Sequence, residues 1–399
     1  MMSRSIAPLV RSALTIRTTP AMAASTSALR SLRRASRPTN FTPGPRPLCD
    51  RTLLQPKPCT LVHRRALATH STSTLPSFVI PVIDFSAFVR ADATPADRER
   101  TSHELTHAFK SSGFAYLRNH GIPRDQIDAT LAMSARFFEL PIDKKDALAW
   151  KDPRSNRGYV AEGRERVTQA TSAEEIAALR QQAPDYKESL EIGNDHDAVW
   201  KNEWPTESVV PRFKDTMLAF QTAAHELHLK VLQSIAIGLG LAPSFFDDKC
   251  NEEWHTLRLL HYPSVRADKL KVEGSARAGE HSDYGSITLL FQDGVGGLEA
   301  KNPHTGVYHA ADPIEDTVVV NVGDLLARWS NDQLRSTLHR VKAPQAADPN
   351  AEFTPTRYSI AFFCNPNENQ LIESLPVFGS DGQRKYEPIS KSHAARRKL

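Results

Sequence analysis

The interpretation of this chain starts from one stretch of sequence, GEHSDYGSITLLF at residues 279–291. It sets His281 and Asp283 two positions apart, and the apolar run after Gly285 predicts a strand. A His-x-Asp triplet arises by chance about once in a chain of this composition, so the triplet alone is a weak signal. Because alternate residues of a strand point to the same side, we expect both side chains on one face at the mouth of this strand.

The surrounding sequence predicts an α+β fold that is mainly β. After Trp254 the chain consists of short apolar or alternating runs separated by turn residues, which is typical of a sandwich or barrel. These runs are 256–262, 286–292, 297–300, 307–310, 317–322 and 358–364. Before Trp254 the apolar spacing predicts helices at 97–112, 124–140 and 213–241, with strands at 78–85, 113–117 and 186–192. We therefore expect N-terminal helices packed on an antiparallel β core.

The first 75 residues differ from the rest in charge and composition. They contain eleven arginines, Lys57 and one acid, Asp50, so they carry about +11, and the net +4 of the whole chain leaves roughly −7 for the remainder. A leader rich in Arg, Ser and Ala and poor in acids is typical of a mitochondrial transit peptide, and RALAT at 65–69 resembles a cleavage site. The alternatives are a plain disordered tail or an over-extended gene model, in which case we expect a cytoplasmic protein.

This composition predicts three parts. They are a disordered leader over residues 1–75, an N-terminal α/β region over 76–212, and a catalytic core over 213–399 that combines a long helix with the β strands. The body is acidic, so we expect no nucleic-acid surface. No run of about 18 apolar residues occurs, so we expect no membrane span. We expect a monomer, although the sequence leaves the oligomeric state open.

A third histidine, His339, lies in a β-prone run further along the chain and completes a candidate metal set. Two imidazoles and one carboxylate can bind one face of a divalent iron and leave positions open for small ligands. Two rival patterns are weaker. The Glu-x-x-His of Glu104 and His107 needs a second such pair, which the sequence lacks. His225 and His228 lack the spacing of a zinc protease, so we interpret them as ordinary polar helix positions.

Arg357 and Ser359 form a candidate binding site for an organic acid. They alternate on the last predicted strand, so both side chains point the same way. A guanidinium makes a planar two-pronged contact with a carboxylate, and the hydroxyl adds a further donor. The flanking apolar residues predict burial, and a buried arginine needs an anion. With the metal set, this indicates an iron enzyme that uses dioxygen and an organic acid.

In this order, the residues resemble the iron(II)/2-oxoglutarate-dependent dioxygenases of the isopenicillin N synthase-like family. The resemblance extends over about residues 76–376. Besides the residues above, the matching stretches include IPVID at 80–84, NHGIP at 119–123, RGY at 157–159, GGL at 296–298 and NVGD at 321–324. The resemblance implies a distorted double-stranded β-helix, or jelly roll, in which His281, Asp283 and His339 hold Fe(II).

The resemblance also implies how the co-substrate binds. 2-Oxoglutarate would chelate the iron, leaving one position for O2, and its far carboxylate would lie on Arg357 and Ser359. Tyr262 matches a tyrosine whose hydroxyl reaches the co-substrate. Leu260 is a departure, because relatives often carry asparagine at this position, and that contact would then be absent. The reaction would release succinate and CO2 while a small organic molecule is hydroxylated or desaturated.

The substrate itself is not determined by the sequence. Tyr159 and Phe363 are candidate walls of its pocket, and we predict no catalytic side chain beyond the metal ligands. Two alternatives stay open. One is an iron oxidase of the same fold that uses no 2-oxoglutarate, with Arg357 and Ser359 holding the substrate's own carboxylate. The other is a non-catalytic or zinc-binding jelly-roll protein, since these residue types also hold zinc.

Overall fold

Two β sheets form the framework of the computed structural model, which describes residues 78–152, 155–164, 185–271, 276–343, 351–378 and 384–390. The strands are β1 (Val82–Asp84), β2 (Phe114–Arg118), β3 (Gly158–Val160), β4 (Glu188–Ile192), β5 (Thr256–Tyr262), β6 (Ala278–His281), β7 (Ile287–Gln292), β8 (Leu298–Lys301), β9 (Tyr308–Ala310), β10 (Thr317–Val322), β11 (His339–Val341), β12 (Arg357–Cys364), β13 (Leu371–Ile372) and β14 (Ile389–Ser390). The larger sheet has the order β1-β2-β10-β7-β12-β5-β4-β3, the smaller one β6-β11-β8-β9, and β13 pairs with β14. Among these strands only β1 and β2 pair in parallel.

The helices lie mostly before β5. They are α1 (Pro95–Ser111), α2 (Arg124–Phe138), α3 (Ile142–Asp146), α4 (Phe213–Gly238) and α5 (Asp324–Trp329). Short 3-10 turns span Ser86–Phe88, Asp247–Lys249 and Ala267–Lys271. A capping box starts α1: Thr94 Oγ1 accepts the Asp97 N–H at 3.2 Å, and the Asp97 carboxylate accepts the Thr94 N–H at 3.1 Å. These bonds satisfy backbone donors that a helix start leaves free.

Helices α1 and α4 pack closely against each other. The apolar residues that α4 buries recur at three- and four-residue spacing, among them Phe213, Met217, Phe220, Ala224, Leu227, Val231 and Ile235. Gly238 permits the close contact, because a Cβ there would lie 2.5 Å from the Ser102 carbonyl oxygen. The buried hydroxyls of Ser102 and Ser234 are 3.2 Å apart and join the two helices by a hydrogen bond.

The two faces of the larger sheet have different environments, because alternate strand residues point to opposite sides. On β12, Ile360 and Phe362 join the core shared with α4. Ala361 points the other way and belongs to a second apolar cluster between the sheets. That cluster also contains Phe114, Leu260, Tyr262, Ala278, Leu298 and Val341. The second face and the smaller sheet thus enclose a cavity, and this cavity holds the candidate site.

The structure confirms a chain that is mainly sheet with a few helices, and each run predicted after Trp254 coincides with a strand. Several details differ from the prediction, including the unexpected helix α3 and strand β3. The first strand is only Val82–Asp84, and α5 was not expected. His281 ends β6 instead of lying at the mouth of β7, because AGEH forms a strand without an apolar alternation. Among the residues described, no helix combines the length and apolar character needed to cross a bilayer.

Candidate metal centre and cavity

His281 and His339 face each other across a strand pair. His339 opens β11 and lies opposite His281 in the antiparallel register, with ring centroids 4.3 Å apart. His281 Nδ1 lies 2.8 Å from the Gly279 carbonyl oxygen, and His339 Nδ1 lies 3.1 Å from that of Thr337. A carbonyl oxygen only accepts, so each Nδ1 carries the proton. Each Nε2 therefore presents a lone pair, as a metal-binding histidine does.

Asp283 brings a carboxylate to these two nitrogens from the turn between β6 and β7. Its Oδ1 lies 3.8 Å from His281 Nε2 and 3.6 Å from His339 Nε2. Its Oδ2 accepts the Thr288 hydroxyl at 2.6 Å and the Asn321 amide at 2.7 Å. The two hydrogen bonds engage Oδ2 and orient the group, so Oδ1 is the oxygen directed to the histidines.

Asp324, at the start of α5, fixes the loop that carries this carboxylate. Its backbone N–H donates to the Asp283 carbonyl oxygen at 2.8 Å. Its side-chain oxygens accept the hydroxyls of Ser282 at 3.2 Å and Ser336 at 2.5 Å. The loop is thus held at several points, and the carboxylate does not depend on a flexible turn for its position.

The protonation states suit metal binding. Burial and the neighbouring His339 lower the pKa of His281 to about 3, so its imidazole is neutral. Burial alone would raise the pKa of Asp283, but the two histidines and the two hydrogen bonds outweigh it and hold that pKa below its ordinary value. Neutral imidazoles and an ionised carboxylate are the forms that bind metals. Two nitrogens and one oxygen on one side of a cavity fit Fe(II) with open positions.

A buried arginine lies further along the same cavity. Arg357 is fully buried, and it donates from Nη1 to Ser359 Oγ at 3.1 Å and from Nη2 to Gln292 Oε1 at 2.9 Å. The Tyr262 ring lies against it, 4.7 Å from the guanidinium carbon to the centroid. These partners are neutral, and Nε has no hydrogen-bond partner among the described residues. A buried cation without a counter-charge fits a site for a carboxylate.

Phe363 and Arg258 form one wall of the cavity. The Arg258 guanidinium carbon lies 5.2 Å from the centroid of the Phe363 ring, and its Nε lies 2.6 Å from Oε1 of the buried Glu191. Phe363, one of the two candidate wall residues of the sequence analysis, thus lines the cavity that contains His281, Asp283 and His339. Leu260 also lines the cavity, so the position at which relatives often carry asparagine is apolar here.

Tyr159, the second expected wall residue, does not reach this cavity. It pairs with Leu190 in the register of β3 and β4, and both side chains belong to the core on the helix side of the sheet. Its hydroxyl donates to Glu188, and its ring centroid lies 6.2 Å from that of Phe137. The expectation is corrected because strand alternation sends Tyr159 to the opposite face.

The rival Glu-x-x-His pattern does not assemble into a metal site. Glu104 and His107 lie exposed on α1. Among the residues described, only two groups of three potential metal ligands come together, and neither contains these side chains. The di-iron alternative therefore receives no support from their positions.

The second group, His225, His228 and His255, differs from the expectation of ordinary helix positions. His228 is fully buried, and burial lowers its pKa to about 3. His255 Nδ1 accepts the Asn365 N–H at 3.1 Å, so a neutral His255 carries its proton on Nε2. That nitrogen lies 2.9 Å from His225 Nδ1 and donates to it. A protonated nitrogen cannot bind a metal, so we interpret this group as a hydrogen-bonded cluster.

Sequence reasoning missed the side chains that support the ligands. Thr288 and Asn321 hold the Asp283 carboxylate, and Gln292 holds Arg357. All three lie in apolar strands: Thr288 and Asn321 line the cavity, and Gln292 pairs with Ser359 in the register of β7 and β12. A polar residue at an inward position of an apolar strand was the available signal.

The chain matches two family models in sequence. Residues 80–207 match a model described as non-haem dioxygenase in morphine synthesis, N-terminal, and residues 253–366 match the 2OG-Fe(II) oxygenase superfamily. Together they cover more than half of the chain. The chain belongs to the 2OG-Fe(II) oxygenase superfamily. It is therefore an oxidoreductase that oxidises a small molecule with Fe(II), 2-oxoglutarate and O2.

Relatives of this superfamily match the chain over most of their length. A full-length Neurospora crassa protein, crystallised with alpha-KG and thymine, has a TM-score of 0.73 and 45% identity, and the match covers 81% of this chain and 97% of that one. The 2-oxoglutarate-Fe(II) type oxidoreductase ppzD of Metarhizium majus is 36% identical over 82% of this chain and 96% of its own. The proline hydroxylase buaE of Petromyces alliaceus is 36% identical over 73% and 89%.

Proposed function

We propose that this oxygenase oxidises a pyrimidine nucleobase and that His281, Asp283 and His339 are its iron ligands. The observation that carries the ligand assignment is the geometry at Asp283. Both histidine Nε2 atoms lie within 3.8 Å of Oδ1, while Oδ2 is engaged by two hydrogen bonds. The arrangement of an eight-stranded and a four-stranded sheet around the cavity supports the jelly-roll core that the sequence resemblance implies.

The co-substrate proposal rests on the buried cation. We assign Arg357 and Ser359 to the far carboxylate of 2-oxoglutarate, with Tyr262 beside them. The support is that, among the described residues, Arg357 is buried on neutral partners and its Nε has no hydrogen-bond partner. A dicarboxylic acid that reaches from the metal to this arginine would supply the missing negative charge.

The nucleobase proposal rests on the wall formed by Phe363 and Arg258. The Neurospora crassa protein has been crystallised with thymine and with 5-formyluracil, and it is more similar to this chain than ppzD or buaE is. A planar ring can stack on Phe363, and its carbonyl oxygens can accept hydrogen bonds from Arg258. Glu191 holds Arg258 against the phenyl ring, so the donor and the stacking surface have a fixed geometry.

The chain's residues would position such a base beside the metal ligands. Phe363 pairs with Thr288 in the register of β12 and β7, and Thr288 donates to Asp283. A base on Phe363 therefore lies next to the ligand set. Leu260 and Ala361 supply apolar surface that excludes water. Bound Fe(II), with 2-oxoglutarate and O2, supplies the oxidising power for a C–H bond and yields succinate and CO2.

Purified full-length protein should be assayed for succinate release with Fe(II), 2-oxoglutarate and single candidate substrates. We expect thymine and uracil derivatives to raise succinate release and to be oxidised in equal amount, with free proline inactive. Phe363→Ala should raise the KM for the base about 10-fold or more, because stacking on an aromatic side chain contributes about 1–3 kcal/mol. Arg258→Met should act in the same direction.

Arg100→Met is the matched control, since Arg100 is exposed on α1 and pairs only with Asp97 among the residues described. It should leave the KM for the base unchanged. Succinate release that depends on iron but not on any pyrimidine would contradict the substrate assignment. No succinate with any substrate, together with no iron binding, would contradict the ligand assignment.

We further propose that residues 1–75 direct the protein to mitochondria and that 76–212 and 213–399 act as one catalytic unit, active as a monomer. The support for import is the leader's excess of eleven arginines over a single acid. A fusion of residues 1–75 to a fluorescent protein should enter mitochondria. A diffuse cytoplasmic signal would contradict the import proposal, and sedimentation of the purified chain tests the monomer.

A further inference from the structure

A second buried arginine, Arg277, lies close to the proposed carboxylate site. It is fully buried, and it precedes β6. Its Nη2 donates to Thr354 Oγ1 at 2.7 Å and to the Pro355 carbonyl oxygen at 2.5 Å. Its Nε and Nη1 have no hydrogen-bond partner among the described residues. Within the described part of the chain, two nitrogens of this buried cation therefore lack an acceptor.

Arg277 acts on Arg357 in two ways, through its charge and through the segment that precedes Arg357. Burial, followed by the charge of Arg357, lowers the pKa of Arg277 to about 10, and the charges of Tyr262 and Asp293 offset this only in part. Thr354 and Pro355, which Arg277 holds, lead directly into β12 and its first residue, Arg357. Neither arginine forms an ion pair with a carboxylate in the described part of the chain; the hydrogen bonds seen go to neutral groups.

Two like charges that are buried together destabilise the empty site. An anion bound at Arg357 relieves this repulsion, and the relief is greater when both cations are present. If the keto and first carboxyl groups of a 2-oxo acid bind the iron, as the family resemblance implies, its second carboxylate is the group that would supply this anion.

We propose that Arg277 is a specificity-determining residue that makes the enzyme select a dicarboxylic 2-oxo acid as co-substrate. This proposal rests on the assignment of Arg357 and Ser359 to the far carboxylate. Arg277 does not line the cavity, so it acts as a positioning residue, through its charge and through its hold on the segment before Arg357. Its removal should weaken binding of 2-oxoglutarate but not binding of an acid that lacks the far carboxylate.

The test compares two acids on Mn(II)-loaded full-length protein by isothermal titration calorimetry. 2-Oxovalerate has the chain length of 2-oxoglutarate but ends in a methyl group. We expect Arg277→Met to raise the Kd for 2-oxoglutarate about 10-fold or more, the usual scale for a lost charge interaction. The Kd for 2-oxovalerate should stay within about twofold. The matched control is Arg266→Met, because Arg266 is an exposed arginine of the adjoining segment that pairs with Glu352.

Each outcome decides a separate claim. If wild-type protein binds metal but shows no preference for 2-oxoglutarate over 2-oxovalerate, the assignment of Arg357 fails, and this proposal fails with it. If wild type prefers 2-oxoglutarate and Arg277→Met retains that preference, only the role of Arg277 is overturned. The same holds if Arg277→Met raises the Kd of both acids equally. Should Arg277→Met lack the wild-type circular dichroism spectrum, Arg277→Gln decides. Glutamine removes the charge but keeps a polar group beside Thr354, so only the binding of 2-oxoglutarate should weaken, and equal binding of both acids relative to wild type overturns the proposal.

Discussion

Replacing Thr288 with valine tests how the metal centre is built. The substitution nearly preserves shape and β propensity but removes one of the two donors to Asp283 Oδ2. The Asn321 amide remains at 2.7 Å, so the carboxylate keeps one bond and can rotate about it. Oδ1 is then no longer held toward His281 and His339.

The expected magnitude follows from the type of hydrogen bond. A hydrogen bond to a charged group contributes about 1.5–3 kcal/mol, and partners that orient metal ligands typically change metal affinity about 10- to 100-fold. We expect a loss of Fe(II) affinity in that range for Thr288→Val. The fold should be retained, because valine is also favoured in strands and the Asp283 carboxylate keeps its bond from Asn321.

The assay is an anaerobic titration of Fe(II) against a chelator of known affinity. Thr317→Val is the matched control, since Thr317 also lies on a strand and uses its hydroxyl for a local bond, to the Ile314 carbonyl oxygen. It should bind Fe(II) like wild type. Equal iron affinity in Thr288→Val and wild type would refute the reasoning that Oδ2 must be held for Oδ1 to bind.

Three further predictions concern Arg357 and the buried carboxylate of Glu188. Arg357→Leu should raise the apparent KM for 2-oxoglutarate about 100-fold in a succinate-release assay, since two charge-assisted bonds are lost. Metal titration should show an unchanged iron affinity. An unchanged KM contradicts the assignment. Glu188→Ala should reduce the free energy of unfolding by about 3–5 kcal/mol in urea, because it leaves Lys145, 2.8 Å from the carboxylate, as an unpaired buried charge; a loss near zero would contradict this. Burial raises the pKa of Glu188, but hydrogen bonds from His261, Lys145 and Tyr159 outweigh it, so the pKa in the folded protein lies below the ordinary 4.5. The stability that the ionised carboxylate contributes is therefore present above pH 4.5 and is lost as the pH falls below that value. In urea titrations at several pH values, Glu188→Gln should lack this acid-dependent loss of stability.

The strands after Trp254 and the grouping of His281, Asp283 and His339 could be predicted because their signals are local. Short apolar runs between turn residues indicate strands, and a His-x-Asp triplet beside such a run indicates a ligand pair. Arg357 and Ser359 were predictable for the same reason, since alternation on one strand fixes their common direction. Phe363 lies on this same face.

The remaining features depend on contacts between distant parts of the chain. Tyr159 was misplaced because nothing in its three-residue strand tells which face meets the helices. His255 joins His225 and His228 only through the approach of β5 to α4, and Arg277 reaches the segment before β12 from another sheet. These contacts join residues that are far apart in the sequence, so no spacing of residues along the chain indicates them.

The most direct test of the central claim, a single iron held by His281, Asp283 and His339, is an anaerobic titration of wild type and His339→Ala. We predict that wild-type protein binds one Fe(II) and that 2-oxoglutarate then produces a weak visible charge-transfer band. His339→Ala should show no such band at the same iron concentration. An unchanged band in His339→Ala, or none in wild type with iron bound, would contradict the account.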